Sequence, residues 1–260
     1  RREGCYIWDI DGKKKLFNCH SNGGVFNLGH RHPEIIKTLL KATESLDIGN
    51  HHFISVQRAK LAKKLASMMP GDLNYTVFGV SGGEAIDLAL KVAQGHTKRN
   101  EVISTIGGYH GHTGLALATG DAQYREPFGL DTSHVKRVQF NEIQAFKDAL
   151  SPHTAAVIME TVQSTAGIII PEKTYMQEVR NLCTENRTLL IIDEVQAGLG
   201  RTGKNWAFEH FDIIPDMVVL GKGLSGGLYP MSATVIREPF MKIFNENPFI
   251  HISTFGGSEI

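Results

Sequence analysis

Short apolar runs alternate with amphipathic stretches along most of this sequence, which predicts strands and helices taking turns. The runs at 75–78, 101–104, 135–138, 156–160, 189–193, 217–220 and 233–236 read as strands. Several are continuously apolar, as parallel strands covered on both faces tend to be. Between them, residues 84–94 place Ile86, Ala89, Leu90 and Ala93 on one helical face, with Asp87 and Lys91 spaced for an i,i+4 pair. Residues 142–150 and 174–186 carry the same helical pattern. The expected fold class is α/β, a mostly parallel seven-stranded sheet flanked by helices. The first fifty-odd residues differ, being rich in Gly, His and Asn around one helical pattern at 33–46. Residues 1–52 are therefore expected to belong to a smaller domain or dimer-facing arm, and 53–260 to the large domain.

Composition narrows the function classes. The 260 residues carry 27 basic and 27 acidic side chains, so the formal net charge is zero. No basic excess exists to neutralise phosphates, which argues against a nucleic-acid partner. No apolar run approaches the ~18 residues that span a bilayer, and the N-terminus leads into no signal-peptide core. Three scattered cysteines, Cys5, Cys19 and Cys183, make no disulfide framework. The expected setting is cytoplasmic, with no membrane contact.

The candidate chemistry gathers at strand ends, where open parallel sheets hold their ligands. The strand at 75–78 leads into Gly79-Val80-Ser81-Gly82-Gly83, and that at 189–193 into Asp193-Glu194-Val195-Gln196. The strand at 217–220 runs into Gly221-Lys222-Gly223, and Glu160 closes the strand before them. Beyond Ser104 comes Gly107-Gly108-Tyr109-His110-Gly111-His112.

Several motifs here invite other readings. Gly79-Val80-Ser81-Gly82-Gly83 fits the nucleophile elbow of a serine hydrolase, and Asp193 and His210 follow in hydrolase order. Gly223-Leu224-Ser225-Gly226-Gly227 fits the same expression, so the match discriminates little. The alternative for Ser81 is a helix start whose free N–H groups hold a phosphate. Gly198-Leu199-Gly200-Arg201-Thr202-Gly203 fits the dinucleotide fingerprint, but Asp193 and Glu194 would crowd a pyrophosphate and no helix pattern opens at the third glycine. No Gly-Lys pair is followed by Ser or Thr, which excludes a Walker loop. The pairs His30/His32, His51/His52 and His110/His112 suggest metal, yet histidine pairs on Gly-rich loops more often make loop hydrogen bonds, and no metal is expected.

Lys222 changes the balance. A lysine at the mouth of a buried strand is desolvated, which lowers its pKa and frees the amine for Schiff-base chemistry. Asp193 caps another buried run, where a carboxylate needs a cation or hydrogen bonds. Tyr109 offers a ring to stack on, and the Ser81–Glu84 helix start offers a phosphate cradle. Lysine, acid, ring and cradle together suit pyridoxal 5'-phosphate.

The joint order Ser81-Gly82-Gly83-Glu84-Ala85, Tyr109-His110-Gly111, Asp193 to Gly203 and Gly221 to Gly227 resembles the class III aminotransferases. Trp8-Asp9-Ile10-Asp11-Gly12-Lys13 and Leu28-Gly29-His30-Arg31-His32-Pro33 resemble that family's N-terminal signature. The resemblance implies a fold-type-I enzyme that moves an amino group from an amino acid or ω-amine donor to a 2-oxo acid. Lys222 would then carry the cofactor as a Schiff base and Asp193 would face the pyridine nitrogen. Gln196 would sit by the phenolic oxygen, Tyr109 on the ring, and Ser81, Gly82 and Gly83 at the phosphate. Thr254, in Ser253-Thr254-Phe255-Gly256-Gly257, would reach the partner's phosphate in a homodimer with shared active sites. His112, Glu160 and Ser253 are the candidates for substrate contact.

The sequence departs from the family in places. Gly83 stands where a side chain is usual, Ser258-Glu259 where Asn-Pro is common, and His112 where many members have arginine. Family chains also continue past the position of Ile260 into most of the small domain. Besides transamination, the residues leave open another pyridoxal-phosphate reaction (racemisation or decarboxylation), a serine hydrolase using Ser81, and an inactive fragment.

Overall fold

A computed structural model describes residues 1–49 and 53–260. Three short strands, β1 (Arg2–Glu3), β2 (Tyr6–Trp8) and β3 (Lys15–Phe17), form a small antiparallel sheet. Seven more build the main sheet: β4 (Leu73–Gly79), β5 (Glu101–Thr105), β6 (Val135–Val138), β7 (Thr154–Glu160), β8 (Leu189–Asp193), β9 (Met217–Leu220) and β10 (Ser232–Arg237). Their order is β4-β10-β9-β8-β7-β5-β6. β10 runs antiparallel to both neighbours and the other pairings are parallel. All seven expected strands are present; β6, β8 and β9 have the expected bounds, and β4, β5, β7 and β10 are longer by one to three residues.

The continuous apolar runs follow from coverage on both faces. Val157, Met159, Leu190 and Ile192 point into one core with Phe146, Met176 and Trp206. Ala156, Ile158, Leu189 and Ile191 point into the other, against Ile86, Ala89, Leu90 and Ala93 of the Gly82–Thr97 helix. Successive strand residues alternate between two cores, so neither parity is polar. The expected Asp87–Lys91 pair is not made. Asp87 instead accepts from the Ala116 N–H at 2.7 Å, and the Lys91 amine lies 2.9 Å from His251 Nδ1.

The helix expected at 33–46 ends earlier, as Pro33–Ala42. A helix at Val56–Met68 gave no sequence signal, because only Leu65 of its residues is buried and no wide apolar stripe marks it. Its start is fixed by Ser55, whose side chain accepts from the Arg58 N–H. The N-terminal segment also packs on the loop after β9. A Cβ at Gly223 would lie 2.5 Å from Asn27 Nδ2, and one at Gly227 2.5 Å from the Phe26 ring.

Candidate functional site

The parallel strands and the loops behind them converge on a cavity of about 380 Å³. Its walls include Ser81 to Gly83, Tyr109 to Thr113, Glu160, Asp193, Gln196 and Lys222. A cleft of about 760 Å³ adjoins it, shares Tyr109, Gln196 and Lys222, and extends past Gly23, Ile168, Ile170 and Arg201.

Lys222 follows β9 with φ +44°, a left-handed backbone that costs a non-glycine residue ~1 kcal/mol or more and that tends to mark functional sites. Its amine donates to Gln196 Oε1 at 2.9 Å. Burial lowers its pKa, while Asp193 and then Glu160 pull the other way. A lowered pKa increases the fraction of free amine available as a nucleophile. Gly23 of the N-terminal segment closes over this group. A Cβ there would stand 3.3 Å from Gln196 Oε1 and 3.5 Å from Lys222 Nζ.

Asp193 ends β8 directly beside Glu160 of β7. Its Oδ2 accepts from His110 Nδ1 at 2.9 Å and its Oδ1 from the Val195 N–H at 3.0 Å. Each carboxylate oxygen keeps a second lone pair, so the group can still accept from a ligand. His110 is 3% exposed, and its Nε2 is buried without a hydrogen-bond partner. Glu160 accepts from the N–H groups of Tyr109 at 3.0 Å and Ser164 at 3.4 Å. Burial pushes its carboxyl up to about 7; His110 opposes that rise and Asp193 adds to it. Two adjacent carboxylates are thus kept unlike, one paired with imidazole and the other inclined to hold a proton.

At the far end Ser81 caps the Gly82–Thr97 helix, its hydroxyl accepting from the Glu84 N–H at 3.2 Å. Glu84 returns a bond to the Val80 N–H at 2.6 Å. The glycines behind Ser81 sit in crowded space. A Cβ at Gly82 would sit 3.3 Å from both methyls of Val195, and one at Gly83 2.8 Å from Thr113 Oγ1. First-turn N–H groups without helical partners, together with the helix dipole, make this an anion-binding end.

Tyr109 meets His112 at 5.5 Å and Tyr124 at 5.0 Å between ring centres, and His112 meets Tyr124 at 5.8 Å, all edge to face. Burial raises the Tyr109 pKa. His112 is therefore part of an aromatic wall. The structure brings together Lys222, Asp193, Gln196, Tyr109, Ser81, Gly82, Gly83, His112 and Glu160. It does not bring Ser253 and Thr254 to this cavity. Ser253 lines a separate groove with Phe53, Ile54, Phe249 and Ile252, and Thr254 is exposed.

The hydrolase alternative fails on geometry. Asp193 pairs with His110 and not with His210, and His210 Nε2 lies 3.1 Å from the Thr202 carbonyl and hydroxyl. No three potential metal ligands converge among the described residues. His30 Nε2 bonds Asn18 and His110 bonds Asp193, while His51 and His52 lie outside the described residues. Sequence reasoning did not assign His110, Thr113, Tyr124 or Gly23 to the site. His110 carried a signal, since a buried acid such as Asp193 requires a partner and His110 lies in the neighbouring loop.

The sequence pattern of the class III aminotransferases matches residues 1–260, and the chain belongs to that family. Members of the family work with pyridoxal phosphate. The chain is 56% identical over 260 residues to an uncharacterized aminotransferase of Archaeoglobus fulgidus, covering all of this chain and 61% of that protein. It is 39% identical over 259 residues to the acetylornithine aminotransferase of Methanopyrus kandleri, covering 99% and 66%. Its fold superposes on the ornithine aminotransferase of Toxoplasma gondii with TM-score 0.92 at 29% identity, covering 100% of this chain and 63% of that one. The taurine:2-oxoglutarate aminotransferase of Bifidobacterium kashiwanohense, solved with pyridoxal phosphate and glutamate, gives 0.90 at 27%, covering 100% and 64%. The chain thus spans about three fifths to two thirds of the length of these relatives.

Proposed function

We propose that the protein containing this chain is a pyridoxal-phosphate-dependent transaminase, with Lys222 holding the cofactor. The observation that carries the reading is the half-buried Lys222 amine opening into one cavity with the Asp193–His110 pair and the Gly82–Gly83 helix start. The donor set fits the group. A buried carboxylate with spare lone pairs suits a ring N–H, an exposed helix start suits a phosphate, and Tyr109 supplies a flat wall. When bound, pyridoxal phosphate supplies a carbonyl that captures amines and a ring that draws electrons from the substrate carbon.

Lys222 would bind the group covalently through its ε-nitrogen. The Lys222 amine, when free, would serve as the base that moves a proton at the substrate carbon. Asp193, oriented by the His110 Nδ1–H and the Val195 N–H, would hold the ring nitrogen protonated. Gln196, which contacts the Lys222 amine, would bond the ring's oxygen substituent. Gly82 and Gly83 would face the phosphate. Glu160 fixes the Tyr109 backbone and with it the aromatic wall.

The substrates in this reading are an amine donor and a 2-oxo acid acceptor. His112 stands at the rim and offers one contact where an arginine offers a bidentate, permanently charged grip. An ω-amine, diamine or β-amino acid donor is favoured accordingly over strict α-carboxylate recognition. A homodimer, with Thr254 serving the partner's phosphate, accounts for the exposed position of that residue away from the chain's own cavity. Three free cysteines suit a cytoplasmic setting. Titrating the purified protein with pyridoxal phosphate, then with a panel of amines and 2-oxo acids, tests the reading. A visible absorption band that changes with amine and is restored by 2-oxo acid is expected. A cofactor band that no amine perturbs overturns it.

A further inference from the structure

Thr113 occupies the N-cap of the Gly114–Thr119 helix, with extended backbone angles. A threonine in that position ordinarily accepts from an N–H of the first helical turn. Here it makes no such bond. The Ala116 N–H is taken instead at 2.7 Å by Asp87, which reaches across from the Gly82–Thr97 helix. Asp87 thereby releases the Thr113 hydroxyl from local capping.

The released hydroxyl faces Gly83. A Cβ at that glycine would lie 2.8 Å from Thr113 Oγ1 and 3.3 Å from its Cγ2, so the threonine fills the space a side chain at 83 would need. Thr113, Gly82 and Gly83 line the same cavity as Lys222. The other hydroxyl at this end, Ser81 Oγ, accepts from the Glu84 N–H and keeps its own O–H to donate. Thr113 is exposed, and its hydroxyl makes no side-chain bond to the helix it caps. The same cavity is lined by the deeply buried His110, whose Nε2 has no hydrogen-bond partner.

We propose that the Thr113 hydroxyl is a ligand of the cofactor phosphate. It would complete the Gly82–Gly83 cradle from the neighbouring helix, in place of a side chain at 83. The inference rests on the proposed function, because it takes the bound anion to be the phosphate of pyridoxal phosphate. A hydroxyl adds a donor that can turn to any of the phosphate oxygens, which fixed backbone N–H groups cannot do.

The test compares pyridoxal 5'-phosphate with pyridoxal, which lacks the phosphate, binding to apo-protein of the full chain. Binding is read by absorbance, and by borohydride fixation to Lys222. Thr113→Val keeps the shape and removes the hydroxyl, and Thr113→Ser keeps the hydroxyl. Thr113→Val is expected to weaken pyridoxal phosphate about five- to thirtyfold, as loss of a hydrogen bond to a charged group does, and to leave pyridoxal within about twofold. Thr113→Ser should stay within about threefold for both ligands. Equal weakening of both ligands by Thr113→Val overturns the proposal, since that marks a general loss of shape, and so does no weakening of either. Wild-type protein that fixes no pyridoxal phosphate on Lys222 overturns the proposed function and this inference with it. Normal fixation, with Thr113→Val indistinguishable from wild type, overturns this inference alone.

Discussion

The sheet ends around Lys222 and the groove between residues 53–56 and 249–256 present opposite kinds of surface. At the sheet ends Asp193, Glu160 and Lys222 are held by named partners at 2.9–3.4 Å. Around the groove, Phe53, Ile54, Phe249 and Ile252 are 82, 93, 63 and 55% exposed. Buried charge costs too much to leave unpaired, so the first region has to be assembled within the fold. An apolar cluster of that exposure, beside a loop that carries a proposed phosphate ligand, has the character of a surface built to be covered. One chain thus builds the amine, acid and cradle internally, while the 53–54 and 249–252 cluster stays open, as the proposed dimer requires.

The largest effect is expected where the first region is broken. Asp193→Asn keeps the shape but removes the charge, and turnover of the cofactor-loaded protein should fall about 10³-fold, or roughly 4 kcal/mol of barrier. Near-normal turnover, measured with saturating cofactor, would leave the carboxylate a structural role only. The second region is broken by charging it. Ile54→Asp combined with Ile252→Asp should convert dimer to monomer in sedimentation and weaken pyridoxal phosphate binding about tenfold. A double variant that sediments as wild type and holds cofactor as well would remove the groove from the interface.

A smaller effect concerns pH. Burial raises the Glu160 carboxyl to about 7 from an ordinary 4.5. The folded protein therefore holds a proton that the unfolded chain gives up. Its contribution to stability is complete below pH ~4.5 and is lost as pH rises through about 7. Glu160→Gln should flatten this decline by about 1–3 kcal/mol between roughly pH 5 and 7.5, read from denaturant midpoints. Some slope will persist, because burial also raises Glu194 to about 7. An unchanged slope would show that Glu160 is ionised throughout. The smallest effect is expected for Ser81→Ala, which removes a helix cap and should cost about 1 kcal/mol of stability. A fluorophosphonate should label neither protein, and labelling of Ser81 in the wild type would restore the hydrolase reading.

What was legible in the sequence was what one-dimensional pattern carries. Continuous apolar runs marked β7, β8 and β9 because burial on both faces leaves no polar parity. Lys222 and Asp193 stood out because ionisable groups at the mouths of such runs need a chemical reason. Contacts between distant segments were not legible. Nothing in the 82–97 pattern says that Asp87 turns from Lys91 to cap a second helix, or that Tyr124 leans on Tyr109 and His112. Gly23 reads as one glycine in a flexible stretch, and only the folded chain sets it 3.5 Å, counted from a Cβ built there, from the Lys222 amine. The Val56–Met68 helix went unread because it buries a single side chain fully, so its period is weak.

The proposed function stands on the Lys222 amine carrying the cofactor. It is tested most directly by loading the purified protein with pyridoxal phosphate, reducing with borohydride, and locating the modified residue by peptide mass spectrometry. One modified lysine, Lys222, is expected, with no stable attachment in Lys222→Ala. Attachment to a peptide without Lys222, or undiminished attachment in Lys222→Ala, would contradict it.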